Sequence, residues 1–80
     1  MKRTALQYAA AVGSVAISKY LVDNSGVDVN RKNAGGETAL MKAAIFGHKE
    51  VVCLLIQAGA DSSILDNEGN DAAKHAWMNG

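Results

Sequence analysis

Residues 33–65 read NAGGETALMKAAIFGHKEVVCLLIQAGADSSIL, from Asn33 to Leu65, and the segments on both sides are imperfect copies of this stretch. The preceding segment, TALQYAAAVGSVAISKYLV from Thr4 to Val22, aligns with TALMKAAIFGHKEVVCLLI from Thr38 to Ile56 at a constant offset of 34. Thr4, Ala5, Leu6, Ala9, Ala10, Gly13 and Leu21 fall on identical residues, while Ile17 and Tyr20 fall on Val51 and Leu54. After Asp28 the offset drops to 33, so that Asp28 falls on Asp61, Gly36 on Gly69 and Ala43 on Ala76. One extra residue therefore lies within 23–26, in the loop that leaves the first copy. Self-similarity at such a period marks a solenoid, whose unit is too small to bury its own apolar face and must stack on its neighbours.

Each copy reads as two short antiparallel helices. Thr4, Thr38 and Asp71 stand where a side-chain oxygen caps the first helix, and the change from Thr to Asp keeps that chemistry. Gly13, Gly47 and Gly80 stand where this helix stops in a left-handed residue. The second helix starts at Ser14 or His48 and runs to about Asn24 or Ala58, where Gly59 ends it. Val51, Leu54, Leu55 and Ala58 recur at helical spacing, and Val52 and Ile56 widen the stripe, so this helix is covered on more than one side. Alanine pairs at Ala9–Ala10 and Ala43–Ala44 keep the first helix thin enough for close approach. Between helix pairs, Asn, Asp, Gly and Ser crowd into 24–37 and 59–70, the chemistry of turns and projecting hairpins.

Composition narrows the function. Eight Lys and Arg balance eight Asp and Glu, so no electrostatic pull toward nucleic acid or an anionic membrane is implied. No apolar run approaches the roughly 20 residues of a membrane span. Cys53 is the only cysteine and forms no internal disulfide, in keeping with a reducing compartment; the expected location is intracellular and cytoplasmic. His48 and His75 lack companions at metal-ligand spacing, so no metal site is expected. Gly35, Gly36 and Lys42 do not make the spacing of a phosphate loop, and no cofactor is implied. Asp28, Asp61 and Asp66 read as turn-forming aspartates and not as a catalytic carboxylate pair. Cys53 reads as a packed thiol and not as a nucleophile, so no catalytic constellation is present and an enzyme is not expected.

The stretch GETALMKAAIFGHKEVVCLLIQAGAD, from Gly36 to Asp61, closely resembles the ankyrin repeat. The resemblance implies a mainly α fold, an ankyrin-type solenoid of stacked antiparallel helix pairs joined by β-hairpin loops. It implies a single domain over 1–80, with a partial N-terminal repeat at 1–32, a complete repeat at 33–65 and a truncated C-terminal repeat at 66–80. Departures from the family pattern are the alanines Ala5, Ala39 and Ala72 where proline is frequent, and Gln7, Met41 and Lys74 where histidine is frequent. The usual threonine-to-histidine hydrogen bonding is therefore expected to be missing, at some cost in stability. In the last copy Ala73 replaces a leucine and Trp77 a small residue, a pattern expected of a terminal capping unit.

In this family hairpin tips and first helices form a concave face that binds other proteins. Carried over by residue, that face holds Ala11, Val12, Ile45, Phe46, Met78 and Asn79 on the first helices. On the hairpins it holds Arg3, Lys32, Ala34, Gly35, Glu37, Leu65, Asn67, Glu68 and Asn70. Phe46, which an apolar helix by itself would place in the core, falls at the helix end facing this groove. The expected function is a protein-protein interaction module, with no nucleic acid or membrane as partner. The alternative is a structural spacer or a regulatory ankyrin segment of a larger multidomain protein. Because the third copy stops before a second helix, the chain is expected to be a fragment, or to have its ends covered by another molecule. Its C-terminal flank around Cys53, Leu54 and Ile56 is expected to be exposed and open to self-association.

Overall fold

The polar caps and glycine stops of the sequence cut the chain into short helices, five of which lie among the described residues of the computed structural model. Those residues are 5–24 and 28–79, with the side chains of 78 and 79 excluded. The helices are α1 (Ala5–Val12), α2 (Val15–Asn24), α3 (Ala39–Ile45), α4 (Lys49–Gln57) and α5 (Ala72–Asn79). Thr38 Oγ1 accepts a hydrogen bond from the Met41 amide at 3.3 Å, and Asp71 Oδ1 accepts one from the Lys74 amide at 2.8 Å. Ser14 Oγ caps α2 through the Ile17 amide at 3.2 Å. The expected cap at Thr4 and the stop at Gly80 lie outside the described residues.

One device ends three of the helices. Gly47 takes φ 72°, and the amide of the next residue, His48, reaches back to the Ala43 carbonyl at 2.9 Å. Gly13 with Ser14, and Gly59 with Ala60, repeat the same closure onto Ala9 and Leu55. A side chain at the glycine would strain the left-handed backbone that this closure requires.

First helices α1, α3 and α5 pack in series, second helices α2 and α4 pack beside each other, and each second helix packs on the first helix of its own copy. Leu6, Ala10, Leu40, Met41, Ala43, Val51 and Leu55 form the buried core between them. Ala9, Ala10, Ala43 and Ala44 are all buried, which is the thin-helix packing the alanine pairs predict. Val15, Leu21, Val22, Val52 and Leu54 close the cluster from its edges.

The loops depart from the hairpin expectation. No strand occurs among the described residues, and the segments at 33–37 and 66–70 are tight turns. In each, a side-chain oxygen at the first position does the work of a ladder. Asn33 Oδ1 accepts from the amides of Gly35 and Glu37, both at 2.9 Å, while the Asn33 amide donates to the Glu37 carbonyl at 2.9 Å. Asp66 repeats the arrangement with the amides of Glu68 and Asn70, both at 2.9 Å. Turns closed by a side chain need no partner strand.

Side-chain hydrogen bonds tie the copies to each other. The buried amide of Gln7 donates from Nε2 to the carbonyls of Arg31 and Glu37, both at 2.9 Å, joining α1 to the turn of the next copy. His48 Nε2 lies 3.0 Å from the Ala11 carbonyl, a second link between copies. A Cβ at Gly13 would meet the His48 ring at 2.5 Å, so glycine there also makes room for that contact.

Candidate functional site

The turn tips singled out by the repeat pattern are held in place by the turns themselves. The Asn67 amide donates to the Gly35 carbonyl and its Nδ2 to the Ala34 carbonyl, both at 3.0 Å, so adjacent tips are bonded to each other. A Cβ at Gly36 would meet Asn67 Oδ1 at 2.5 Å, and only glycine permits this approach. Lower on the loops, the Asp61 amide donates to Asn30 Oδ1 at 2.7 Å. Asp28 and Asp61 each bond the amide two residues on, at 2.9 and 2.8 Å, which is the turn-forming role read from the sequence.

One carboxylate beside these turns is paired with a lysine. Lys42 Nζ lies 2.7 Å from Glu37 Oε1, and the Asn33 amide group donates to the same oxygen at 3.1 Å. The Lys42 hydrogen bond, and then that of Asn33, hold the Glu37 carboxyl below its usual range. The Asn70 amide lowers Asp66 in the same way, helped by the His75 ring, whose Nε2 is 2.9 Å from Asp66 Oδ2. The Ser63 hydroxyl and then its amide lower Asp61. These carboxylates carry turn and helix contacts, and the hydrogen bonds they accept keep them ionised. Among the described residues no three His, Cys, Asp or Glu side chains gather as a metal site.

The residues carried over from the repeat pattern divide into two groups. Val12 is 53% exposed and Phe46 56% exposed, at equivalent places on the packed helices α1 and α3. Phe46 stacks on His48 with ring centroids 6.5 Å apart, and Ile45 beside it is half-buried. Lys32, Leu65 and Glu68 are exposed on the loops. Glu37 is half-buried in its ion pair, Asn67 spends its amide on the neighbouring turn, and Asn70 is half-buried as the closing residue of its own turn. The Met78 side chain and Arg3 lie outside the described residues. Gln7 and Lys42 were not anticipated as organisers of this surface. Gln7 holds the position where the repeat pattern favours histidine, which was the available signal.

Comparison with known proteins agrees with this geometry. A family model described as ankyrin repeats in three copies matches residues 1–66. The chain belongs to the ankyrin repeat family. It is 42% identical over 60 residues to the 26S proteasome non-ATPase regulatory subunit 10 of Dictyostelium discoideum, a match covering 75% of this chain and 26% of that protein. It is 39% identical over 59 residues to the human ankyrin repeat and SAM domain-containing protein 3, covering 74% of this chain and 9% of that one. A probable E3 ubiquitin-protein ligase XBOS32 of Oryza sativa subsp. japonica is 39% identical over 74 residues, covering 92% and 15% respectively. The chain thus spans about a quarter or less of the length of these relatives. Ankyrin repeats are in general interaction modules and not catalytic ones. Among the described residues no helix is long and apolar enough to cross a membrane.

Proposed function

We propose that this chain binds another protein through the concave face of its ankyrin stack, by surface complementarity and without catalysis. The observation that carries this reading is the exposure of Phe46 and Val12 at equivalent C-terminal ends of neighbouring first helices, in a stack whose turn tips are braced by Asn33, Asp66 and Asn67. An exposed aromatic residue on a pre-organised surface is the kind of anchor that dominates interface energies. Lys32, Glu37, Ile45, Leu65, Asn67, Glu68, Asn70 and Met78 complete the contact surface in this reading. Residues 1–80 act as one cytoplasmic unit, and the proteasome-subunit relative is a precedent for such a unit in a larger assembly. A second copy of the chain would use a different surface, the C-terminal flank.

A pull-down from cell extract, comparing the chain with its Phe46→Ala and Ile45→Ala variants and with Lys19→Ala on the opposite helix layer, tests the face. Loss of the captured protein in the first two and retention in the third supports it. An unchanged catch in all three supports the alternative, a spacer or regulatory segment of a larger multidomain protein.

A further inference from the structure

Among the described residues the hydroxyl side chains differ in access: Ser18 and Thr38 are buried, Ser14 is half-buried at the start of α2, and Ser62 and Ser63 are exposed. The two exposed serines stand in the loop between α4 and α5, in the stretch ADSSILDNEGND from Ala60 to Asp71. Their neighbours set them apart. Ser63 has Asp61 two places before it, Asp66 three places after it and Glu68 five places after it. Ser62 has Leu65 three places after it and lines an apolar groove with Leu40, Val52 and Ile56. No Lys or Arg occurs between Lys49 and Lys74. An enzyme that reads this stretch must bring a basic groove to it, because one that selects lysine or arginine beside its serine meets only charge of the wrong sign.

The Ser63 hydroxyl is also a working part of the fold. Its Oγ–H donates to Asp61 Oδ1 at 2.6 Å, and the Ser63 amide donates to the same oxygen at 2.8 Å, which closes the turn 61–63. The Asp61 amide in turn donates to Asn30 Oδ1 at 2.7 Å and ties this loop to the one that leaves the first copy. We infer that Ser63 is a phosphorylation site for an acid-directed serine kinase, and that the phosphate opens this turn and releases the tie to Asn30. In the transfer the Ser63 oxygen attacks the γ-phosphorus of a nucleoside triphosphate held by the kinase. The new O–P bond forms as the bond to the bridging oxygen of the leaving diphosphate breaks, and the hydroxyl proton passes to the kinase's own base. The product has lost the donor that Asp61 accepted. In its place a group of charge about −1.5 to −2 stands beside an ionised carboxylate, and like charge drives the two side chains apart. Asp61 then no longer holds the Ser63 amide, and the backbone that aims the Asp61 amide at Asn30 is freed. This inference does not depend on the concave-face reading.

Treatment of the full chain with a purified acid-directed serine kinase, magnesium and ATP, read by intact mass and fragmentation, should add one phosphate, on Ser63. Ser62→Ala should be modified like the parent. Ser63→Ala should stay unmodified while remaining folded by circular dichroism, and Asp66→Asn should slow the transfer severalfold. A kinase that selects basic flanks should leave the chain unmodified. In the phosphorylated chain, hydrogen exchange at the Asp61 and Ser63 amides should quicken. Its melting temperature should fall by about 4–8 °C, the loss of one hydrogen bond in a domain this small. Asn30→Ala removes the acceptor directly and should cost a similar drop, and phosphate on that variant should add little further. Absence of transfer, transfer to any other residue, or equal transfer by both kinases overturns the assignment of the site. Unchanged exchange at Asp61 with phosphate on Ser63 overturns the link to Asn30.

Discussion

Replacing Gln7 by Glu changes one NH₂ group to oxygen in a side chain of nearly the same shape, and it tests the link between the first two copies. Gln7 is 6% exposed, and its Nε2 donates to the Arg31 and Glu37 carbonyls at 2.9 Å. Each hydrogen bond is worth about 0.5–1.5 kcal/mol net, and a buried acceptor left without a donor costs about 1–3 kcal/mol, more when charged. The Glu37 carbonyl keeps the Asn33 amide as a donor, so one carbonyl and the new carboxylate bear the loss. The sum is a destabilisation of roughly 3–5 kcal/mol at neutral pH, against a total of about 4–12 kcal/mol for a domain of this size. Thermal unfolding followed by circular dichroism should show a drop of more than about 12 °C, taking 4–8 °C per kcal/mol. Burial and two facing carbonyls raise the pKa of the introduced carboxyl in the folded state above its unfolded value. The penalty is then full above the folded pKa and shrinks as pH falls toward the unfolded value near 4, because a protonated carboxyl donates again. A melting temperature within a few degrees of the parent at neutral pH would refute the assignment of Gln7 as the inter-repeat tie.

Ser18 is fully buried, and its hydroxyl has no hydrogen-bond partner among the described residues. Ser18→Ala should therefore stabilise the chain by about 1 kcal/mol, a gain of roughly 4–8 °C in melting temperature, and a lower melting temperature would contradict the unsatisfied hydroxyl. Asp66, Asp61 and Glu37 all have folded-state pKa values below their usual ones. Depressed carboxylates stabilise the fold above their unfolded pKa and lose that contribution as pH falls below about 4, so melting temperature should be flat near neutrality and fall in acid. Asp66→Asn keeps the turn that Asn33 already makes in the preceding copy and should flatten part of the acid limb; equally steep limbs in both proteins would count against the role given to Asp66.

The helices and their ends were legible in the sequence because they rest on local chemistry: Thr38 and Asp71 cap, and Gly13, Gly47 and Gly59 close; of the apolar stripe on α4, Val51 and Leu55 are buried, whereas Ile56 is exposed and the helix is not covered all round. The turns were legible only in part. Asn33 and Asp66 announce turn chemistry, but whether a turn grows into a hairpin depends on strand pairing that composition does not encode. Gln7 was hidden for a related reason. A lone polar residue in an apolar helix acquires its role from carbonyls 24 and 30 positions away, and only the stacked structure brings them together. The candidate binding face came from repeat register, which fixes exposure at Phe46 and Val12 but not which polar side chains are tied up internally. Glu37 and Asn67 turned out to be bonded within the surface they help to build. At the C-terminal flank Cys53 and Ile56 are exposed and Leu54 is half-buried, so Cys53 is not the packed thiol that the apolar stripe suggested. The exposure of Trp77 needed coordinates to be seen.

The central claim is that the first-helix ends bind a protein partner, and affinity at Phe46 tests it most directly. Titration calorimetry of a captured partner against the parent chain and Phe46→Ala should show a loss of more than about 1 kcal/mol, with the melting temperature nearly unchanged. Equal affinities, or a loss of binding that only follows a loss of folding, would contradict the claim.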